Sequence, residues 1–351
     1  MRTAMNAPLV SVIIATRDNA ASIGEALATL GRQQLRDIEV IVADAGSRDD
    51  TRAIVAACGD PRVRLLANVA GGSVAARGAA IAAARGRYVA ALDPRDLCDA
   101  ARLARQVAYL ESNPRVALVG AAVSIDTGRA TRSSHMPAAT TPALLGWLTR
   151  LFDPLHWTSI MLRTDVAHEL AGSVRPELGA AANLDFYLRV SAYGPIARID
   201  DPLVTLRGRA PAAIDDRSAS DFSEVLARVY RPVLGDAVDE AATLVARHVA
   251  CGLPVPDQAT LEQLGAIIGM LQASYIDTIT PGRESLRLIR DETTRLWWRI
   301  GRRAVRSGTV PLAAAAAAPP QRFGLARTGS VSGLIDRLLG KDRLAARRLA
   351  S

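Results

Sequence analysis

From residue 9 to residue 125 the chain alternates short apolar runs with amphipathic stretches, and few architectures accommodate that order. Residues 9–16, 38–44, 63–67, 88–92 and 116–125 are apolar runs of strand length, the first of them dense in Val and Ile. Between the first two, Ile23, Ala26, Leu27 and Leu30 recur at the spacing of a helix with one buried face. Further helices are expected from a cap at Asp49 or Asp50 to Cys58, from Ser73 to Ala84, and from about Ala100 to Asn113. Strands and helices alternating at this spacing predict an α/β fold, a mostly parallel sheet with helices on both faces.

The run 88–92 is entered through Arg85-Gly86-Arg87 and ends in Asp93-Pro94-Arg95-Asp96, a charge cluster no core would tolerate. In open α/β sheets ligands are held where the chain leaves the carboxyl ends of the strands. An aspartate ahead of a helix is also an ordinary cap, so both readings of the cluster stand at this point. A dinucleotide oxidoreductase is excluded, because Ala15-Thr-Arg-Asp-Asn19 lacks the glycines that let a pyrophosphate approach the first helix. No Walker loop and no Gly-x-Ser-x-Gly elbow occurs either.

A hydrophobic fraction of 49% over 351 residues suffices for a sizeable core. The net charge of +8 does not point to nucleic acid. Every cation but Lys341 is an arginine, spread along helices beside acids, and aromatics are 4%, too few for base stacking. Cys58, Cys98 and Cys251 have no metal-binding or redox spacing, which suits a reducing cytoplasm. The first ten residues do not read as a secretory signal, and no apolar run reaches the ~20 residues that span a bilayer.

Pro8-Leu-Val-Ser-Val-Ile-Ile-Ala-Thr16, the Asp44-Ala-Gly-Ser47 turn, Gly71-Gly72 with Ala75-Ala-Arg77, Gly86-Arg-Tyr-Val-Ala-Ala-Leu-Asp93 and the segment 105–120 follow one another in a recognisable order. Together they resemble family 2 glycosyltransferases of the GT-A (Rossmann-like) fold, over residues 8–209. The resemblance implies a nucleotide-diphospho-sugar donor, a divalent Mg²⁺ or Mn²⁺ on its diphosphate, and inversion at the sugar carbon by a carboxylate base. Thr16, Asp44, Gly71, Gly72, Arg77 and Asp93 keep the residue types of the family's donor pocket.

Other positions depart from the pattern. The partner of Asp44 in the family's acidic pair is Ala45. The Asp-x-Asp motif falls on Asp93-Pro94-Arg95, with Asp93 left for the ribose and Arg95 where a metal ligand is expected. A guanidinium cannot ligate ions that require oxygen donors, and Asp96 is the nearest substitute. A metal-neighbouring histidine falls on Arg209. The base position falls on Asn183, an amide that takes no proton at neutral pH. Asp185 is retained, with helix capping or packing as its plainer role. Two readings stay open: Arg95 and Arg209 replace the ion on the diphosphate with forked donors, or the site has decayed.

Residues 1–222 are therefore expected to form the GT-A domain, 223–308 a helical extension, 309–329 an Ala/Pro-rich linker and 330–351 a basic helix. Arg283–Arg306 sets Trp297 and Trp298 among arginines. That is either a helix packed on its own protein or one lying on anionic lipid at the inner face of a membrane. The function expected is sugar transfer to a glycan or lipid-linked acceptor in bacterial surface polysaccharide synthesis. The alternatives are a non-catalytic nucleotide-binding or scaffolding relative and, more weakly, an adaptor acting through its helices.

Overall fold

The computed structural model describes residues 7–128, 131–133, 137–171, 175–208 and 215–317. The chain divides into two compact units, residues 1–146 with 153–213 and residues 147–152 with 214–351.

The first unit is built on one nine-stranded sheet. Its strands are β1 (Val10–Thr16), β2 (Ile38–Asp44), β3 (Val63–Leu66), β4 (Tyr88–Ala91), β5 (Leu97–Cys98), β6 (Leu118–Asp126), β7 (Thr131–Ser133), β8 (Met161–Arg163) and β9 (Ile196–Arg207). They lie in the order β3-β2-β1-β4-β8-β6-β9-β5, with β7 on β6. The four strands from β3 to β4 are parallel, as is β9 on β6, while β8 runs antiparallel between β4 and β6. The helices are α1 (Ile23–Gly31), α2 (Thr51–Ala57), α3 (Gly72–Ala82), α4 (Arg102–Ser112), α5 (Pro142–Leu148, running across the division between the units), α6 (Thr164–Ala171) and α7 (Ala182–Val190).

Side chains of a strand alternate between faces, and the two halves of the core follow that period. Val10, Val12 and Ile14 of β1 pack with Ile23 and Leu27 of α1 and Leu103 and Val107 of α4. Ile13 of the same strand packs with Ala76 and Ile81 of α3, Val166 of α6 and Phe186 of α7. Covered on both faces, β1 and β2 are near-continuous in Val and Ile, as parallel strands of this kind are.

Two polar devices set where β4 begins and ends. At its start, Ser11 Oγ donates to Glu39 Oε1 (2.7 Å) and accepts from the Gly86 amide (2.8 Å), while Arg85 Nη2 reaches Glu39 Oε2 (2.7 Å). Burial alone would raise the Glu39 carboxyl, but the bonds from Arg85 and Ser11 outweigh it and hold the group below its ordinary value. At its end, the buried Arg102 donates to the carbonyls of Ala91 (2.8 Å) and Ile160 (3.1 Å) and to Gln106 Oε1 (2.9 Å). Gln106 Nε2 in turn holds Ser159 O (2.8 Å) and Val119 O (3.1 Å). The last residue of β4 is thus tied to the turn Trp157–Ser159.

The second unit holds α8 (Asp216–Leu234), α9 (Val238–Val245), α10 (Gln258–Ile279), α11 (Arg283–Arg306) and α12 (Leu312–Ala317). Asp215 caps α8 by accepting from Ser218 N, so helix starts ahead of the expected residue 223. Thr293 Oγ1 accepts from Trp147 Nε1 (2.8 Å) and Gln272 Nε2 (2.6 Å) at the buried centre of the unit. Trp297 and Trp298 are 1% and 5% exposed, so they present no aromatic face to lipid, which removes the basis of the interfacial reading of α11. Part of the expected linker is helical as α12, in keeping with the high helix propensity of alanine, and Ala315 is buried. Residues 318–329 of that linker and the expected basic helix lie outside the described residues.

Candidate active site

The parallel strands deliver the candidate residues to one edge of the sheet. Thr16 and Asp44 are register partners at the ends of β1 and β2, and Asp93 follows the end of β4, which pairs with β1 through Ile13 and Ala91. Asp44 is wholly buried and holds its own turn. Both carboxylate oxygens accept from Ser47 N (3.1 and 3.2 Å), and one also accepts from Ser47 Oγ. Ser47 Oγ then accepts from Asp18 N (3.0 Å), and Asn19 Nδ2 donates to Thr16 Oγ1 (3.1 Å). Thr16 and Asp44 therefore hold the turns at this edge of the sheet.

Gly71 and Gly72 have φ of +94° and +79°, and a Cβ on Gly71 would stand 2.8 Å from that of Ala75. The left-handed turn is open to glycine without strain, and it starts α3. From the second turn of α3, Arg77 lies 4.6 Å over the Trp157 ring and donates from Nη1 to Asn183 Oδ1 (2.8 Å). Asn183 is in the first turn of α7. Asp185, in the same turn, is buried and paired with Arg189 Nε (2.9 Å), with Arg175 at 3.8 Å. Ala181 is the N-cap residue, and Asp185 serves an ion pair within the fold.

In the charged loop, Asp93 Oδ1 accepts from both the amide and Nε of Arg95 (3.0 Å each), and Oδ2 from Nη2 (3.2 Å). The bonds to Asp93 raise the Arg95 guanidinium further above its ordinary value. Asp93 N donates to Thr158 Oγ1 (3.0 Å), which joins this loop to the turn carrying Trp157. Asp96 is fully buried and accepts from Arg207 N (3.2 Å), while Arg207 Nε donates to Arg95 O (3.0 Å) and Nη1 pairs with Glu25. Arg207 arrives there because Leu97 and Cys98 pair with Thr205 and Val204 of β9. Sequence reasoning missed it and chose Arg209, which lies outside the described residues.

The divalent ion implied by the family does not fit these residues. The Arg95 guanidinium occupies both oxygens of Asp93, and Asp96 is turned into the fold. Among the described residues no three of His, Cys, Asp and Glu converge to hold a metal. A hollow lined by Val55, Cys58, Asp60 and Val63 shares no residue with this site.

Asp153 is a member of the cluster that the sequence did not announce. It lies ahead of the Trp157 turn, accepts from Leu155 N (3.2 Å), and is bonded by Asn183. Burial pushes its carboxyl up to about 7, with Leu155 N–H, Asn183 and Arg77 only partly offsetting that rise. Phe152-Asp153-Pro154 reads locally as a turn, and no spacing marks it.

Residues 11–170 match the profile of glycosyl transferase family 2. Over that segment the sequence is that of the family. Among curated relatives, the succinoglycan biosynthesis protein ExoO of Rhizobium meliloti is 29% identical over 230 residues, 55% of this chain and 64% of that protein. The Escherichia coli UDP-Glc:α-D-GlcNAc-diphosphoundecaprenol β-1,3-glucosyltransferase WfaP is 32% identical over 30% of this chain and 42% of its own. The chain thus spans less than two thirds of the length of these relatives. Among solved structures, TarS 1-349 of S. aureus with UDP-GlcNAc superposes at a TM-score of 0.50 with 16% identity, over 95% of this chain and 91% of that one. The Pyrobaculum calidifontis mannosyltransferase PcManGT, with GDP-Man and Mn²⁺, gives 0.52 and 18%, over 89% and 87%. The fold is that of the GT-A glycosyltransferases.

Proposed function

We propose that this family 2 glycosyltransferase transfers a sugar from a nucleotide-diphospho-sugar onto a glycan or lipid-linked acceptor, in the assembly of a bacterial surface polysaccharide. The observation that carries this reading is the convergence at one sheet edge. Thr16, Asp44 and Asp93 end parallel strands there. The open Gly71-Gly72 turn and Arg77 stand on the helix that enters the same face of the sheet as β1 and β2. Polysaccharide assembly is supported by the name of ExoO, and a lipid-linked acceptor by that of WfaP. The diphosphate charge falls to arginines, whose forked donors match phosphate oxygens. Arg95 is exposed at the loop.

A second reading, a nucleotide-binding subunit without turnover, is favoured by the amide at Asn183 and its bond to Arg77. Either form works in the cytoplasm, at the inner membrane face if the acceptor is lipid-linked. No described helix is long and apolar enough to cross a membrane. Contact with anionic lipid would then rest on exposed arginines such as Arg287 and Arg295.

The test is calorimetry with UDP-, GDP-, dTDP- and CDP-sugars, with Mg²⁺, with Mn²⁺ and with chelator. It is followed by transfer assays on GlcNAc-diphosphoundecaprenol and on free oligosaccharides. Binding with transfer supports the enzyme, and binding without transfer supports the subunit. Absence of binding to every donor removes both.

A further inference from the structure

Asn183 stands where the family resemblance places the base, yet an amide has no proton-accepting role at neutral pH. Its surroundings show what it does instead. Arg77 Nη1 donates to its Oδ1 (2.8 Å), which fixes the amide so that Nδ2 is the end left for a carboxylate, and the carboxylate bonded to it is Asp153. Arg77, Asn183 and Asp153 form one relay of hydrogen bonds from α3 through α7 to the turn ahead of Trp157. That turn is joined to the donor loop by Asp93 N to Thr158 Oγ1. Asp153 keeps part of its surface open to solvent although dense packing desolvates it. Beside it the Tyr187 hydroxyl is fully buried with no hydrogen-bond partner among the described residues. Desolvation first, and then the Asp153 charge, push that phenol well above its ordinary value, so it stays a neutral donor.

We propose, building on the transfer reading above, that Asp153 is the general base of this site and that Asn183 positions it. The acceptor O–H bond breaks with its proton passing to the Asp153 carboxylate. The acceptor oxygen forms the new bond to the sugar C1, and the C1–O bond to the diphosphate breaks with its electron pair leaving on the nucleoside diphosphate. Asp153 then returns the proton to solvent. Arg77 from α3, Asn183 and Tyr187 from α7, and Leu155 N–H from its own turn are the groups that face the carboxylate. Held near 7, its proton affinity is matched to the operating pH of a general base.

The experiment uses the full chain with the donor and acceptor panel above. Asp153→Asn is expected to lower kcat by about 10²–10⁴-fold, the range of general-base catalysis, while donor affinity stays near that of the unmodified protein. The kcat profile of the unmodified protein should rise with pH through about 7. Asn183→Ala should move that rise to higher pH, because the lost bond favoured the ionised form. A structural role for Asp153 would not move the profile, so this second variant decides the matter if Asp153→Asn folds poorly. Turnover within about threefold in Asp153→Asn, or a flat profile from pH 5 to 8, overturns the base and leaves the transfer reading standing. No transfer by the unmodified protein with any pair overturns both.

Discussion

Gly86 offers the sharpest check of how β4 is set. A Cβ there would stand 2.6 Å from Ser11 N and 2.8 Å from Val10 C, both backbone atoms of β1, which is paired on both sides by β2 and β4. Neither atom can swing aside as a side-chain tip would. Relief requires a shift of several tenths of an ångström, and overpacking of this kind costs about 1–3 kcal/mol. The same shift strains the Gly86 amide bond to Ser11 Oγ (2.8 Å), and leaving that buried donor unmade costs about 1–3 kcal/mol more. Lower unfolded-state entropy returns about 0.4–1 kcal/mol to Gly→Ala. The net expectation for Gly86→Ala is a loss of about 1–5 kcal/mol. The control is Gly31→Ala, which meets nothing within 4 Å and should be neutral or gain about 0.4–1 kcal/mol. Urea unfolding followed by far-ultraviolet circular dichroism reads both. Equal midpoints for the two variants would refute the close approach of β4 to β1.

Donor binding should be unchanged by chelator and should weaken with salt, and Arg95→Ala should lower affinity at least about tenfold, read by calorimetry. Metal-stimulated binding by the unmodified protein would contradict the misfit of the ion. Thr293→Val leaves the buried Trp147 Nε1 and Gln272 Nε2 without their shared acceptor and should cost about 2–4 kcal/mol in urea unfolding. Asp153 binds its proton more tightly folded than unfolded, so its contribution to stability is complete at low pH and is lost as pH rises through about 7. Asp153→Asn should therefore flatten the fall in thermal midpoint between pH 5 and 8, and an unchanged slope would show that the carboxyl titrates in its ordinary range.

The central sheet was legible because its information is local. Burial on both faces demands an apolar run such as Val12-Ile13-Ile14, and the helix between β1 and β2 repeats its apolar face every three or four residues. Its outer half was less so. The two-residue strand β5 exists only because β9 pairs with it, and β8 is set between β4 and β6 by partners 71 and 42 residues earlier, at positions 90 and 119 for residue 161. Neither strand is long enough to show a period. In the site, Asp93 and Gly71-Gly72 were readable because each sits where a named strand or helix starts or stops.

The charges that matter most were hidden for a different reason. Arg102 looks like any helix arginine, yet its guanidinium is buried against Ala91 O and Ile160 O and so ties the end of β4, just ahead of the charged loop, to the Trp157 turn. Arg207 was passed over because its place beside Arg95 depends on the pairing of β9 with β5. Asp153 carries no motif, and its raised proton affinity comes from burial in the fold, which Leu155 N–H, Asn183 and Arg77 only partly offset. A carboxylate becomes a base through what desolvates and bonds it, which composition and spacing do not encode. The substitution of Asn for a carboxylate at 183 therefore reads as loss only while the site is viewed one motif at a time. Set against Arg77 on one side and Asp153 on the other, the amide links a cation to an acid without adding a second negative charge, whereas Asp at 183 would set two carboxylates in competition for one proton.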